Sequence, residues 1–354
     1  MNPHLQLLIT CCKTTLSEQD IHFLRYQLQT DNSKLITSLS PLAHAHGIFP
    51  LFYQSLKTYA SDLIPEESMN ILKRQYMTIV QRNMLMTAEL IRIMKLLQEN
   101  GIEALAFKGP VLAKIAYGDI TLRQYVDLDV LVKKADIYKL DSLLKNRGYQ
   151  RVLKLTHSQE KVWINFAHDI GLYHPDNGVH FEMHWSLLDE DYPIQIEQAE
   201  FWKNIRTVTI NQQKIKTFTN EELLIYLCIH GSKHLWERIE WIKDIDLLIR
   251  SCEIDWEKII ARTNNSDFKT MFYFGLLLTS QLFKTPMPKN LTEQMVRITN
   301  LNKLSEFVLQ SWETPKKIFK KTVAILRLFP GIKEQTLYLH KVILKPTFLS
   351  LIHI

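Results

Sequence analysis

The segment YVDLDVLV at 125–132 constrains the fold of this 354-residue chain more than any other stretch of its sequence. Its valines and leucines favour a buried β-strand. Side chains alternate along a strand, so Asp127 and Asp129 project from one face and the apolar residues from the other. At about 4 Å, two carboxylates repel by about 4 kcal/mol when the effective dielectric constant is about 20. The strand therefore predicts a compensating cation, and a hard divalent metal ion is the usual one.

The acid-x-acid spacing alone is weak evidence, because six such spacings occur in the chain. The context of Asp127 and Asp129 separates them from the others. A short apolar run at 103–107 and a Lys-Gly-Pro turn at 108–110 precede them, and a helical pattern at 136–149 follows. This order predicts two strands joined by a tight turn and a helical piece.

A third carboxylate lies in a later strand. The segment 169–185 predicts a β-hairpin in which Asn177 and Gly178 take left-handed turn conformations. On its second strand Glu182 shares a face with the two neighbouring histidines, while the large apolar residues face the core. We therefore expect Glu182 to join the two aspartates. Without metal, the three carboxylates are expected to raise one another's pKa.

Outside these segments the chain reads mostly as helix. The apolar residues after Pro65 recur at helical spacing, and the five methionines between 69 and 94 are expected to belong to a buried stripe. A second hairpin is expected at 206–218. The sequence thus predicts an α+β fold with a small mixed β-sheet, predominantly helical overall. The expected domains are an N-terminal helical region at 1–95, a mixed core at 96–220 and a C-terminal helical region at 221–354.

Composition narrows the class of protein. Hydrophobic residues make up 46% of the chain and charged residues 23%, as in ordinary soluble globular proteins. No stretch approaches the ~20 apolar residues of a membrane span, and the N-terminus lacks the features of a signal peptide. The four cysteines include no CxxC pair, which favours reduced thiols and a cytoplasmic location.

The net charge of +6 is concentrated near one end of the chain. Between Lys316 and Lys345 eight basic residues face a single acidic one. An ordinary solvated helical face is the commonest explanation of such a segment. RNA and a lipid surface are the alternatives, and no RNA-binding motif supports the first of them.

Several motifs in the same order resemble a known superfamily. A glycine-containing turn after a first strand, an Asp-x-Asp strand and a later strand with one carboxylate resemble the polymerase β-like nucleotidyltransferases. More closely, FKGPVLAKIAYGDITLRQYVDLDVLV, HFEMHW and CIHGSKHLWERIEWIKDIDLL resemble a bacterial family of uncharacterised nucleotidyltransferases. The resemblance begins near residue 40 and reaches into the C-terminal helices.

The resemblance implies a nucleotidyltransferase core that uses two magnesium ions and a nucleoside triphosphate. By this analogy Asp127 and Asp129 hold both ions, and Glu182 helps to hold the ion that activates the acceptor. Two metals clamp the attacking and leaving oxygens of an in-line displacement. A nucleoside monophosphate would pass to the acceptor, and pyrophosphate would leave.

The turn that precedes the aspartates departs from the superfamily's usual Gly-Ser or Gly-Gly. It reads Lys108, Gly109, Pro110. Gly109 still allows a phosphate to approach the backbone closely, whereas proline removes one backbone donor. Lys108 is expected to neutralise triphosphate charge, with a solvated loop residue as the alternative.

Other polar residues have two interpretations each. Arg123 either contacts the triphosphate or forms a structural salt bridge. His230 and His234 have metal-ligand spacing on a helix, but the sequence offers no third ligand, which argues against zinc. The following residues are expected either to line a nucleotide or acceptor pocket or to be solvated charges on a helix with a buried tryptophan face: Lys233, His234, Arg238 and Asp244.

The leading acceptor class is a small molecule or a modified peptide of a biosynthetic pathway. Modification of tRNA or protein, as in toxin-like relatives of the superfamily, is the alternative that the basic segment favours. A catalytically silent nucleotide-binding module is a third, against which the intact Asp127, Asp129 and Glu182 argue.

Overall fold

A computed structural model of the protein describes residues 2–30, 35–298, 300–313 and 318–340. Ahead of the sheet lie the helices α1 (Pro3–Cys11), α2 (Glu18–Thr30), α3 (Ser40–Ala45), α4 (Phe49–Tyr59) and α5 (Glu66–Glu99). Short helices connect the strands: α6 (Gly109–Leu112), α7 (Ile137–Lys145), α8 (His157–Phe166) and α9 (Gln198–Lys203). The later part of the chain forms α10 (Asn220–Lys233), α11 (Ile239–Ser251), α12 (Trp256–Asn264), α13 (Lys269–Phe283), α14 (Lys289–Arg297), α15 (Leu301–Glu313) and α16 (Ile318–Leu326).

The strands form one mixed sheet and a separate hairpin. They are β1 (Ala104–Ala106), β2 (Asp127–Val132), β3 (Gln150–Arg151), β4 (Asp169–Tyr173), β5 (His180–His184), β6 (Ile205–Ile210) and β7 (Gln213–Phe218). The sheet has the order β1-β2-β5-β4-β3; β2 and β5 run parallel, and the other neighbouring pairs antiparallel. Strands β6 and β7 pair with each other, and β7 packs near β1. The predicted α+β fold is confirmed, except that the two-residue strand β3 was not predicted because it carries no strand pattern.

Helix α5 packs across β1 and β2. It begins after Pro65 and ends before Gly101, whose φ of +66° is the left-handed conformation that commonly terminates a helix. Met86 is fully buried, but Met77 and Met84 are 43% and 59% exposed. The predicted methionine stripe is therefore wrong for these two, because both lie about half a turn away from Met86 at 100° per residue.

Both predicted hairpins form, with different turns. In the β4–β5 connection Gly178 has a φ of +67°, while Asn177 keeps a negative φ, so the prediction of a left-handed Asn177 is wrong. Its side-chain oxygen instead accepts a hydrogen bond from the Val179 amide at 2.9 Å. In the β6–β7 turn, Asn211 and Gln212 have φ values of +47° and +65°, as a two-residue hairpin loop requires.

Helices α10 and α13 approach each other closely around Trp236, which is completely buried. A Cβ atom added to Gly231 would lie 2.3 Å from the Trp236 ring, and one added to Gly275 would lie 2.9 Å from it. Glycine at both positions therefore lets the indole sit between the two helices. This packing fixes the end of α10, from which several cleft residues project.

Within the described ranges, no helix has the length and apolar character to cross a membrane. Four lysines of the basic segment lie outside the described residues, namely Lys316, Lys317, Lys341 and Lys345. Of the remainder, Lys321 pairs with Glu237. The boundaries of the three regions, near 95 and 220, stay a prediction.

Candidate active site

The sheet register brings the predicted carboxylates together. On the parallel strands β2 and β5, Asp129 lies directly opposite Glu182, and Asp127 lies opposite His180. Asp127 is two residues before Asp129 and therefore shares its face. The apolar residues of both strands are buried on the other side, with Leu128 and Phe181 completely inaccessible. The core thus fixes the direction in which the carboxylates point.

Two cationic side chains already accompany these carboxylates. Lys108 Nζ donates a hydrogen bond to Asp129 Oδ1 at 2.8 Å, with side chains that are 15% and 0% exposed. His184 Nε2 lies 3.2 Å from the same Asp129 oxygen and 3.3 Å from Glu182 Oε2. In this arrangement the protein itself supplies counter-charges that the sequence analysis had assigned to metal alone.

The pKa values of the three carboxyl groups consequently diverge. Burial, and then the charge of Asp129, raise the pKa of Asp127 to about 6. Burial acts against ionisation of Asp129 too, but Lys108 and His184 hold its pKa well below the usual range. The hydrogen bond to His184 lowers the pKa of Glu182 against the effect of burial. The expectation of a mutual increase is therefore wrong for Asp129 and Glu182, because two cations outweigh the repulsion.

The cations respond in the complementary direction. Burial alone would lower the pKa of His184, but its hydrogen bonds to Asp129 and Glu182 raise that pKa to about 9. Burial is likewise overcome at Lys108, where the charge of Asp129 contributes most to a pKa well above the ordinary value. Both groups are therefore charged near neutral pH in the metal-free protein.

The donor set fits a divalent metal ion. Asp129, Glu182 and His184 each place one ligand atom within 4.8 Å of the other two. Asp129 Oδ2 is buried and has no hydrogen-bond partner among the residues described. An unsatisfied buried carboxylate oxygen is costly, and a bound cation would satisfy it. Asp127 borders the same cleft and adds a further oxygen.

The turn that follows β1 places Lys108 inside the site. Gly109 has a φ of +51°, and a Cβ atom there would lie 3.2 Å from the Asp127 carbonyl oxygen. Glycine is therefore required by both conformation and space. The ammonium of Lys108 lies 5.6 Å from the centre of the Tyr226 ring, and both residues line the cleft. The alternative of a solvated loop residue is wrong, because the Lys108 side chain is mostly buried.

Arg123 forms the structural salt bridge that was one of its two interpretations; it also lines the cleft, so its contact with a triphosphate stays a prediction. Its Nε and Nη2 atoms each donate to a different oxygen of Asp244, both at 2.8 Å. Arg123 Nη2 also lies 3.2 Å from Glu240 Oε1, and Tyr117 donates to Asp244 at 2.8 Å. Asp244 is completely buried and does not line the cleft, so its predicted place in a pocket wall is wrong.

A cleft of about 330 Å³ opens beside the carboxylates. Lys108, Asp127 and Glu182 line one side. Residues from α10 and the start of α11 line the other: Tyr226, His230, Lys233, His234, Arg238, Glu240 and Trp241. The predicted pocket positions of Lys233, His234 and Arg238 therefore agree with the geometry, while their roles stay predictions.

The rings of His230 and His234 pack against each other at an interplanar angle of 58° instead of forming a recognisable metal site. Their ring centres are 4.9 Å apart, and Trp241 lies 5.3 and 5.5 Å from them. Neither histidine belongs to a metal-competent group of three found in the described part of the chain. Burial lowers the pKa of His230 well below its ordinary value, which keeps this aromatic surface uncharged at that position.

His184 and Glu240 are two of the cleft residues that the sequence did not single out. His184 was predicted to share a face with Glu182 but was given no role. Its position two residues after Glu182 on the same strand was the sequence feature that could have identified it as a partner of the carboxylates. Glu240 lies in the cleft and is nearly buried, and burial raises its pKa to about 8 against the pull of Arg123. Nothing in the spacing around Glu240 distinguishes it, because its partner Arg123 is more than a hundred residues away in sequence.

A family model described as an uncharacterised nucleotidyltransferase matches residues 32–284, well over half of the chain. The curated proteins include no match. The match begins after α2 and ends after α13, so it covers the strands and helices that form the site.

Solved structures give remote likenesses. An antigenic nucleotidyltransferase-like protein from Paracoccidioides brasiliensis is 18% identical, with a TM-score of 0.39 over 60% of this chain and 92% of that one. The lincosamide antibiotic adenylyltransferase LnuA with bound lincomycin is 18% identical, with a TM-score of 0.32 over 46% and 94%. The antibiotic-resistance factor ANT(2'')-Ia is 12% identical, with a TM-score of 0.32 over 53% and 89%. No substrate follows from scores this low.

Proposed function

Since this chain belongs to the family of uncharacterised nucleotidyltransferases, we propose that it transfers a nucleoside monophosphate from a nucleoside triphosphate to an acceptor in a magnesium-dependent reaction. One observation carries the proposal. Asp129 and Glu182 are paired across adjacent parallel strands, and Asp127 on the same face borders the cleft. Three carboxylates in this arrangement form an oxygen-rich site at the edge of a pocket, which suits magnesium.

The three carboxylates are the proposed metal ligands, and two ions is the number that the family resemblance implies. Magnesium supplies a Lewis acid that offsets the charge of the triphosphate and of the oxygens that attack and leave. Asp129 is held in place by Lys108 and His184, and its second oxygen remains without a partner in the described part of the chain. Asp127 and Glu182 lie nearer the solvent and complete the set.

The remaining residues are proposed to bind the nucleotide. Lys108 lies beside the carboxylates in the cleft wall, where its ammonium is within reach of a triphosphate. Gly109 allows the backbone to approach a phosphate closely. Lys233, His234 and Arg238 add cationic and hydrogen-bonding groups on the opposite wall. Arg123 and Asp244 are proposed to position the segment before β2 through their buried ion pair.

The acceptor is proposed to be a small molecule or a modified peptide. The cleft volume of about 330 Å³ lies at the lower end of the range of about 300–1,000 Å³ typical of small-molecule sites. Modification of tRNA or protein remains the second candidate, favoured by the basic segment. We also propose a cytoplasmic location, supported by four cysteines that are all unpaired, and a nucleotidyltransferase core at 96–220.

The experiment uses nucleoside triphosphates labelled at the α-phosphate. Each is incubated with the protein, magnesium and separate fractions of small molecules, peptides, RNA and protein. We expect label in a small-molecule or peptide fraction. Asp127→Asn and Glu182→Gln should reduce transfer by more than the ~10–100-fold typical of losing an outer-shell partner, because each removes a direct ligand.

Asp176→Asn is the matched control, since Asp176 lies in the exposed β4–β5 turn, and it should transfer label like the unmodified protein. Label in RNA that declines steeply with salt would favour the second candidate. Triphosphate binding without transfer to any fraction would indicate a catalytically silent module. Equal transfer by all three variants would overturn the assignment of the carboxylates.

A further inference from the structure

A second group of potential metal ligands lies beside the carboxylate site. His168, Asp169 and His184 each place one ligand atom within 4.8 Å of the other two. His168 Nε2 is 3.3 Å from Asp169 Oδ2, and His184 Nδ1 is 4.0 Å from the same oxygen. All three residues line the cleft. We propose that they form a separate site for a transition-metal ion of the zinc type.

The spacing suits a tetrahedral ion. Zinc bonds of about 2.0–2.1 Å place neighbouring tetrahedral ligands about 3.3–3.4 Å apart. The 3.3 Å separation between His168 Nε2 and Asp169 Oδ2 has that value, and the 4.0 Å separation between His184 Nδ1 and the same oxygen needs only a small movement of the Asp169 carboxylate. Three protein ligands leave one position for water or another oxygen, which would face the cleft.

In each histidine, the ring nitrogen that does not face Asp169 is already hydrogen-bonded to a carboxylate. His168 Nδ1 is hydrogen-bonded to Asp189 Oδ1, which leaves Nε2 directed towards Asp169. His184 Nε2 is hydrogen-bonded to Asp129 and lies near Glu182, which leaves Nδ1 directed towards Asp169. Metal-binding histidines in proteins usually show this arrangement, because the outer carboxylate fixes the tautomer and the ring orientation.

The backbone also fixes the three residues. Asp169 on β4 is the cross-strand partner of His184 on β5. The His168 carbonyl oxygen accepts hydrogen bonds from the amides of Trp185 at 2.9 Å and Ser186 at 3.2 Å. A site built on paired strands holds its ligands more accurately than one built on loops.

The nature of the ligands separates this site from the proposed magnesium site. Imidazole nitrogen suits zinc and similar ions, whereas an all-oxygen set suits magnesium. His184 belongs to both groups of potential ligands, but its Nε2 faces Asp129 and its Nδ1 faces Asp169; the three carboxylates proposed to hold magnesium offer oxygen alone. An ion at the second site takes the place of any proton on His184 Nδ1, and that proton passes to solvent. The inference does not depend on the proposed reaction.

The test is a titration of the metal-free full-length protein with Zn²⁺ in excess Mg²⁺, followed by calorimetry. We expect a single zinc ion to bind, and His168→Gln or Asp169→Asn to abolish that binding. Asp189→Asn should weaken zinc binding about 10–100-fold, because Asp189 is an outer-shell partner. The matched controls are His157→Gln, at the exposed start of α8, and Asp176→Asn; both should bind zinc normally.

Co²⁺ in place of Zn²⁺ provides a second readout, since its visible spectrum reports nitrogen ligands and coordination number. Asp127→Asn should retain the cobalt spectrum of the unmodified protein, even if it has lost nucleotide transfer. Zinc affinity that is equal in His168→Gln and the unmodified protein would overturn the proposal. So would zinc binding that is lost in Asp127→Asn and kept in His168→Gln, because zinc would then occupy the carboxylate site. Circular dichroism of each variant identifies a loss caused by misfolding, in which case the milder Asp189→Asn decides.

Discussion

Two aspartates on one face of β2 differ sharply in their tendency to ionise. Asp129 is completely buried but has Lys108 and His184 as partners, so its pKa is low. Within the described residues Asp127 forms no salt bridge, and burial and then the Asp129 charge raise its pKa. Asp129 thus remains an anion under all ordinary conditions, while Asp127 is the carboxylate whose charge depends on pH and on a bound cation.

The raised pKa of Asp127 predicts a pH-dependent stability. Its shift from 3.8 to about 6 means that the folded protein holds this proton more tightly than the unfolded chain. The protonated Asp127 contributes to the free energy of unfolding. This contribution is fully present below pH 3.8 and is lost as pH rises through 6, by at most about 3 kcal/mol. Asp127→Asn should therefore gain stability relative to the unmodified protein between pH 4 and pH 7, measured by urea unfolding in EDTA.

Asp176→Asn is the control and should show no such pH-dependent gain. Magnesium should reduce the difference between Asp127→Asn and the unmodified protein at pH 7, because a cation favours the ionised carboxylate. A stability difference that is independent of pH would contradict the raised pKa of Asp127.

At the residue scale, the sequence identified the carboxylates but not their partners. Alternation along a strand places Asp127, Asp129 and Glu182 on predictable faces. The contact between Lys108 and Asp129 depends instead on how the turn at Gly109 folds back across β2. Asp244 was misplaced for a similar reason: its partner Arg123 is 121 residues away, and no local pattern encodes that pairing.

At the scale of elements, helix α5 positions the segment that leads into β2. Asn83 on α5 is completely buried, and its Nδ2 donates to the carbonyl oxygens of Ile120 at 2.7 Å and Arg123 at 2.8 Å. These two bonds attach an irregular stretch to a rigid helix. The position of Asp127 at the start of β2 therefore depends on Asn83, a residue of the helix that precedes the sheet in the sequence.

Asn83→Leu is predicted to be strongly destabilising. It keeps the approximate volume but leaves one buried and one partly buried carbonyl oxygen without this donor, and an unsatisfied buried group costs about 1–3 kcal/mol. We expect the free energy of urea unfolding to fall by at least about 2 kcal/mol. The control is Asn146→Leu, at the exposed end of α7. If both variants unfold at the same urea concentration, the attachment of the segment to α5 is not important for stability.

The pairing of β2 and β5 could be predicted in part from the sequence. The hypothesis of a metal site required the second strand of the 169–185 hairpin to lie beside β2, and it does. The order of the whole sheet was not predictable, since it depends on packing between segments that are distant in the chain. The short strand β3 was missed because two residues show no periodicity.

At the scale of the whole molecule, a buried ionic network links the sheet to the C-terminal helices. Arg123 precedes β2, whereas Asp244 and Glu240 belong to α11. All three are at most 6% exposed. Breaking one partner of such a pair leaves an uncompensated charge in the interior. The cleft between the sheet and α11 therefore depends on this network for its shape.

A double-mutant cycle measures this link. Arg123→Met and Asp244→Leu should each cost about 3–5 kcal/mol of unfolding free energy, and the double variant should cost up to about 3 kcal/mol less than their sum. The reference is the surface pair Arg25 and Asp62, whose side chains are 35% and 62% exposed; it should show a much smaller coupling. Additive losses at Arg123 and Asp244 would mean that the two regions are not coupled through this pair.

The ammonium of Lys108, which is paired with Asp129, would compete with the proposed magnesium ion for the charge of that carboxylate. A magnesium ion at the proposed site would meet an Asp129 carboxylate that already has an ammonium 2.8 Å away. Part of the intrinsic binding energy would then be used to weaken that ion pair, so the apparent dissociation constant would exceed the intrinsic one. An ion at Asp129 Oδ2 would also leave the ammonium of Lys108 more strongly attracted to the phosphates of a triphosphate. Metal and triphosphate would consequently bind with positive cooperativity, and the protein would keep its fold when magnesium is scarce.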